Sequence, residues 1–325
     1  MVPIYPIKKG EGLPKRLLER SQLTQKDVTG AVNEIIANVR ANGDAALVEY
    51  AAKFDRVSLT TDGLRVAPEE VEAAYKSVDP ALIETMKKSR DNIIAFHEKQ
   101  LEKTWVDFQS DSALGQLVRP IAKVGVYVPG GTAPLSSSVL MNVLPAKVAG
   151  VKRIAMCTPP QADGSVNPAM LVAADLCGVK EIYKVGGAQA IAALAFGTET
   201  IAPVDKIVGP GNIYVANAKR AVYGYVGIDM VAGPSEVLII ADETANPRYV
   251  AADLLSQAEH DKIAAAMLIT TSEALAKSVQ EELPRQLAAL PRQEIAAASL
   301  ENNGAILLAE DLDTAFDLAN RIAPE

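Results

Sequence analysis

The sequence predicts an α/β protein built on largely parallel sheets, with one domain split by the insertion of a second. Three observations predict it. After about residue 118, short β-branched runs alternate with Gly-rich turns and Ala-rich helical stretches, the rhythm of strand–helix units. Runs such as Val237-Leu238-Ile239-Ile240 are apolar at every position, as strands covered on both faces of a parallel sheet must be. Long helices come first, strand–helix units next and the chemically richest stretch near the end, which suggests an interrupted domain.

The chain's bulk properties set limits. Its 325 residues can supply two cores, and 49% hydrophobic against 22% charged residues is a globular balance. A net charge of −8 argues against nucleic-acid binding through a basic surface, but leaves room for an anionic cofactor held by local loops. Cys157 and Cys177, in apolar stretches without metal spacing, read as buried reduced thiols of an intracellular protein. The first ten residues lack a signal-peptide core and no run reaches membrane-span length. A cytoplasmic protein is expected.

In chain order, residues 1–24 combine prolines, Gly10, Gly12 and the basic Lys15, Arg16 and Arg20 with little core pattern. They read as an arm docked on something else, such as a second subunit. Residues 25–54 follow helical spacing through Val28, Val32, Ile35, Ile36 and Val39, break at Asn42-Gly43, and restart with Asp44 as a cap. Pro68-Glu69-Glu70 opens another helix, with proline in its first turn and acids near the positive dipole end. A long helix covers about 80–100 and carries His97, read as a surface or boundary residue. Strands are expected at 123–128, 152–158, 181–185, 206–208, 237–241, 267–271 and 306–308.

Four strand ends lead directly into glycine turns: Val128-Pro129-Gly130-Gly131, Val185-Gly186-Gly187-Ala188-Gln189, Val208-Gly209-Pro210-Gly211-Asn212 and Val231-Ala232-Gly233-Pro234-Ser235-Glu236. Glycine lets backbone N–H groups approach a phosphate, and open α/β sheets bind ligands outside the carboxyl ends of their strands. Each turn alone is only a turn; four in consecutive units point to a shared ligand cleft. The G-x-G-x-x-G dinucleotide fingerprint is incomplete, with Tyr214 where the third glycine would fall. Further on, Ala251, Leu254, Leu255 and Ala258 form one helical face, with Asp253, Gln257 and His260 together on its flank. A Gln-x-x-His pair can supply two ligands to one metal ion, and a hydrogen-bonded boundary histidine fits the same spacing.

Taken together, the glycine loops and the Ser256-Gln257-Ala258-Glu259-His260 run closely resemble the histidinol dehydrogenase family. The resemblance runs from about Gly30 to the last residue and is densest at 124–139, 185–198, 208–219, 232–240, 254–261 and 320–325. It implies oxidation of L-histidinol through the aldehyde to L-histidine, with NAD reduced at each of two steps, in the last steps of histidine biosynthesis. It implies a zinc ion that holds substrate, an intertwined homodimer and incomplete Rossmann-like domains. The expected division is an arm at 1–24, a discontinuous domain of 25–127 plus 235–325, and an inserted NAD-binding domain at 128–234. By motif, Gln257 and His260 resemble zinc ligands that also touch substrate, Ser235 a substrate contact, and Tyr127, Gln189 and Asn212 the NAD contacts. Glu325 resembles the glutamate that activates water in the second step; on its own a frayed end is the alternative. The family's following histidine, its other zinc ligands and a second substrate-binding glutamate lie past residue 325, so residues 1–325 alone are expected to be inactive. Two other readings are a cysteine-dependent aldehyde dehydrogenase working through Cys157 and a non-catalytic nucleotide-binding relative.

Overall fold

The computed structural model describes residues 2–18, 27–130, 136–231 and 233–325. The chain forms two compact units, residues 1–26 with 232–325 and residues 27–231. Both are α/β, and the second interrupts the first in sequence, as expected.

The smaller unit begins with β1 (Ile4–Ile7) and the short helix α1 (Lys15–Leu18). The larger unit comes next in sequence, with α2 (Thr29–Tyr50), a π-helical turn at Ala51–Asp55, α3 (Pro68–Ser77) and α4 (Pro80–Glu98). It continues with a hairpin of β2 (Trp105–Phe108) and β3 (Ala113–Gln116). Then come β4 (Lys123–Tyr127), α5 (Ser136–Val148), β5 (Arg153–Thr158), α6 (Pro168–Leu176) and β6 (Glu181–Lys184). The unit closes with α7 (Gly187–Phe196), β7 (Lys206–Val208), α8 (Ile213–Val222) and β8 (Gly227–Ile228). The chain returns to the smaller unit with β9 (Glu236–Ala241), α9 (Pro247–Ala258), β10 (Ala265–Thr270), α10 (Glu273–Leu287), α11 (Gln293–Asn303), β11 (Ala305–Ala309) and α12 (Leu312–Ile322).

In the larger unit the sheet order is β6-β5-β4-β7-β8, all parallel. The chain enters at the centre, builds outward through β5 and β6, then returns to the other side of β4 with β7. The junction of β4 and β7 is therefore a topological switch point. One face buries Leu47, Leu194 and Ile207 under α2, α7 and α8; the other buries Val126, Leu144 and Met170 under α3 to α6. Each such side chain contributes about 1.5–3 kcal/mol, so α2 holds across its bend at Gly43 (φ +51). The expected break falls at Gly43 because its backbone (φ +51, ψ −130) is non-helical and lies where L side chains rarely go. Asp44 does not cap the second half of the helix. It is buried, and its carboxylate accepts from the Thr200 hydroxyl and N–H.

The smaller unit carries a four-stranded parallel sheet, β1-β11-β10-β9. Leu254, Leu268 and Val279 pack one face, and Leu17, Met267 and Leu318 the other.

The N-terminal segment differs from the arm read in the sequence. Ile4–Ile7 is an edge strand of this sheet and Leu17 is buried in its core. Pro6 is tolerated because an edge strand leaves one side unpaired. Residues 19–24, with Arg20, lie outside the described residues. The unit borders also differ. Residues 25–127 were expected with 235–325; from Asp27 onward they belong to the larger unit, the central strand β4 included, where α2 lies on α7 and α8, α3 on α6, and α4 on α5. An amphipathic stripe reveals that a helix covers a sheet without revealing which one. No helix among the described residues is long and apolar enough to cross a membrane.

Candidate active site

In the larger unit, three glycine loops leave the carboxyl ends of β4, β6 and β7. Tyr127 ends β4, 3% exposed, and its hydroxyl accepts the Gly187 N–H at 3.1 Å. Burial pushes this phenol up to about 12, so it stays neutral and keeps its proton for donation. Gly187 has φ +63 at the start of α7, and a Cβ there would meet Gln189 Oε1 at 2.7 Å. Gln189 is buried in the first turn of that helix. Gly209, after β7, has φ +118, and a Cβ there would lie 2.0 Å from the Tyr127 carbonyl oxygen. Only glycine fits so close to the neighbouring strand. Asn212 caps α8, its Oδ1 accepting the N–H groups of Tyr214 at 3.0 Å and Val215 at 3.2 Å. Its amide Nδ2 is the part left for a ligand. Tyr127 and the loop before Asn212 flank the switch point, and Gln189 lies on the β6 side. Gly131, in the first loop, lies outside the described residues.

A clamp that sequence reading missed secures the second side. Lys219 on α8 is 2% exposed, donates to the Gly209 carbonyl at 3.0 Å and pairs with Asp229. The other Asp229 oxygen accepts the Gly209 N–H at 2.8 Å. Lysine on an otherwise apolar helical face was the available signal.

The fourth glycine loop starts at the last residue of the larger unit, Val231, runs on into the smaller unit and is placed differently. It leads into β9, so Ser235 lies at the amino end of that strand, exposed, with its carbonyl accepting the Ala265 N–H at 3.3 Å. Ala232 lies outside the described residues. The carboxyl-end expectation therefore fails for this loop, because the long strand comes after it.

Helix α9 also ends earlier than its pattern suggests. It closes at Ala258; Gln257 occupies its last turn and His260 lies beyond it, in a turn whose N–H bonds the Gln257 carbonyl at 3.1 Å. Asp261 stops the helix. Its Oδ1 accepts the Ile263 N–H at 3.1 Å and its carbonyl the Ala264 N–H at 3.1 Å, turning the chain into β10. The expected flank of Asp253, Gln257 and His260 is thus a helix end and a turn. His260 is exposed, whereas Gln257 Nε2 is enclosed without a hydrogen-bond partner. Among the described residues, no cluster of three or more His, Cys, Asp or Glu could hold a metal ion.

Glu325 is fastened in place. Its Oε1 accepts the Gly233 N–H at 2.8 Å, its N–H donates to Glu236 Oε2 at 3.3 Å, and its carbonyl accepts the Glu236 N–H at 3.1 Å. A Cβ on Gly233 would sit 2.6 Å from Glu325 Oε2, so a larger residue there would make the carboxylate shift. The left-handed Ala323 (φ +46) turns the chain back after α12 to reach this position. Ser235, Gln257, His260 and Glu325 thus share the amino end of one sheet. Glu325 touches the loop that holds Ser235.

His97 is a boundary residue as read, its Nδ1 2.6 Å from Gln100 Oε1. Both cysteines are buried. Burial pushes the Cys157 thiol upward and that of Cys177 up to about 12, far from the range of a thiolate nucleophile.

A doubly wound parallel sheet with a glycine-lined switch point, joined in sequence to a second parallel sheet carrying acid, amide and imidazole groups, defines a two-unit α/β protein of the doubly wound class. The chain belongs to the histidinol dehydrogenase family of oxidoreductases, whose profile matches residues 18–325. It is 56% identical over 314 residues to the histidinol dehydrogenase of Caldanaerobacter subterraneus subsp. tengcongensis, covering 97% of this chain and 73% of that protein. It is 54% identical to that of Moorella thermoacetica, covering 99% and 76%. The crystal structure of the Elizabethkingia anophelis histidinol dehydrogenase superposes with a TM-score of 0.90 at 41% identity, covering all of this chain and 74% of the other.

Proposed function

We propose that this protein oxidises L-histidinol through L-histidinaldehyde to L-histidine, reducing NAD at each of two steps, as a cytoplasmic enzyme of histidine biosynthesis. Family membership sets the reaction. The observation that carries it to this chain is Glu325, held by Gly233 and Glu236 beside Ser235, at the sheet end that also carries Gln257 and His260.

NAD, when bound, accepts the hydrides; zinc, when bound, orients the amino alcohol and polarises its oxygen. The larger unit suits a dinucleotide through its switch point, the close glycine at 209 and the α8 N-terminus. Tyr127, Gln189 and Asn212 would contact it. For zinc, the donor set is the Gln257 amide oxygen and the exposed His260 imidazole three residues on; the enclosed Gln257 Nε2, a hydrogen-bond donor, calls for an acceptor rather than a cation. Amide oxygen and imidazole nitrogen fit a borderline metal, yet protein zinc sites take three or four ligands. Gln257 and His260 would supply half a set.

The chain's own groups divide the work. Ser235 and His260 would position the substrate. Glu325 would take a proton from the water that hydrates the aldehyde, one of its oxygens steadied by Gly233 and the other left to act as base. The hairpin of β2 and β3 supports a homodimer. Phe108 is 78% and Leu114 68% exposed, and a two-stranded ribbon with apolar residues open to water calls for a partner surface.

The test is NADH formation from L-histidinol by the protein at its gene-encoded length, before and after a chelator and with zinc restored. Activity lost to the chelator and regained with zinc supports the reading. NAD binding without turnover would leave a nucleotide-binding relative without the chemistry.

A further inference from the structure

Among the described residues, Asp55 carries the one carboxylate oxygen enclosed by protein without any hydrogen-bond partner. It closes the π-helical turn after α2, where Arg56 leaves in the left-handed region (φ +60) with its N–H on the Ala51 carbonyl. Its place is set by the packing. The second half of α2 starts at Asp44, tied to Thr200 just past the end of α7, and runs along α7 in the opposite direction. The turn therefore arrives at the start of α7, where the Gly187 N–H meets the Tyr127 hydroxyl. Asp55 is near enough that its charge helps to raise the Tyr127 phenol.

No cation among the described residues relieves this carboxylate. Burial alone raises it, to about 6, which still leaves it ionised and purely an acceptor at neutral pH. Lys53 is drawn instead over the rings of Tyr50 and Phe54, at 6.0 and 5.5 Å. A second observation bears on the same side of the crevice. Dinucleotide folds usually place a ribose-binding acid at the tip of the strand next to the first. Here that tip, after β5, is Pro159, pressed so close to Gly130 and Gly186 that a Cβ on either would meet it at 2.9 or 2.6 Å. The usual acid is missing, and an unsatisfied acid stands on the β6 flank of the same crevice.

We propose that Asp55 is the ribose-binding and cofactor-selecting residue of the dinucleotide site, accepting hydrogen bonds from the adenosine ribose hydroxyls and excluding a cofactor with a 2′-phosphate. This rests on the reading that the crevice binds NAD. The hydroxyl pair would donate to Oδ1, the carboxylate oxygen that the protein does not enclose, whereas a phosphate would bring like charge to a carboxylate whose Oδ2 is already buried without a donor.

The experiment is calorimetric titration of the unliganded full-length protein with NAD and NADP, for wild type, Asp55→Asn and Asp55→Glu, with circular dichroism to confirm folding. Wild type is expected to bind NAD and to bind NADP at least about tenfold more weakly. Asp55→Asn is expected to lose about 10- to 100-fold in NAD affinity, the effect of one or two charge-assisted hydrogen bonds, and to bring NADP within a few-fold of NAD. Asp55→Glu, which keeps the charge, is expected to go on rejecting NADP. A folded Asp55→Asn with wild-type affinity for both cofactors would overturn the assignment. So would an Asp55→Glu that loses the discrimination, which covers the case in which Asp55→Asn does not fold. A wild type that binds neither cofactor would instead remove the dinucleotide reading itself.

Discussion

The clamp under Gly209 can be tested by a double-mutant cycle. Lys219→Met keeps most of the buried stem while deleting the ammonium that bonds Gly209 and pairs with Asp229. Breaking a fully buried pair costs about 3–5 kcal/mol because one charge is left alone. The Asp229 side chain is 30% exposed, so water recovers part of that, and a loss of about 2–3 kcal/mol is expected. Asp229→Asn alone should cost a similar amount, since the lysine is then the stranded charge. The double variant removes both charges, and the amide oxygen introduced by Asp229→Asn could still accept the Gly209 N–H. It should therefore be only about 1–2 kcal/mol less stable than wild type, well short of the summed single losses. Urea unfolding of all four proteins, with the midpoint and slope of each transition fitted separately, measures this. NAD affinity should fall in both single variants, because the loop beside Tyr127 loses its anchor. Strictly additive losses, or a Lys219→Met loss below about 0.5 kcal/mol, would refute the clamp.

Three further outcomes rest on particular contacts. Gly233→Ala drives a methyl group at the Glu325 carboxylate; one charge-assisted hydrogen bond is at stake, so turnover should fall at least about tenfold with histidinol binding little changed. Steady-state kcat and KM separate the two, and an unchanged kcat would contradict that contact. Asp55, raised to about 6 in the folded chain against about 3.9 unfolded, binds its proton more tightly when folded. Its stabilising effect is complete below about pH 4 and is lost as the pH rises through about 6. After solvent screening this is worth roughly 1 kcal/mol, so unliganded Asp55→Asn should gain about that much on wild type between pH 4 and 7 in matched melts. Cys157→Ser should keep its activity, since a wholly buried thiol pushed upward offers no thiolate; loss of turnover in a folded variant would revive the cysteine mechanism.

What could be read beforehand was what lies close in sequence. The all-apolar run at 237–241, the break at Asn42-Gly43 and three glycine turns at strand ends are local signals, and each is found in place. The rest depends on distant partners. β1 was missed because four residues including a proline carry little pattern, and its partner β11 lies at the far end of the chain. The end of α9 was placed too late because Ala258 continues the apolar stripe while the Asp261 turn, a side-chain effect, stops the helix. For Glu325 the frayed end stayed open as an alternative because its partner Gly233 is 92 residues earlier. Asp55 left no trace in the pattern, since an unsatisfied carboxylate is visible only once its surroundings are known.

The most direct test of the two-step reading is the endpoint yield of NADH per L-histidinol with excess NAD, for the full-length protein and for Glu325→Gln. Wild type should give two NADH per histidinol. Glu325→Gln should give a first NADH near the normal rate and a second far more slowly, because hydration of the aldehyde has lost its base. A wild-type yield of one, or a variant that delivers both at the normal rate, would contradict the role given to Glu325.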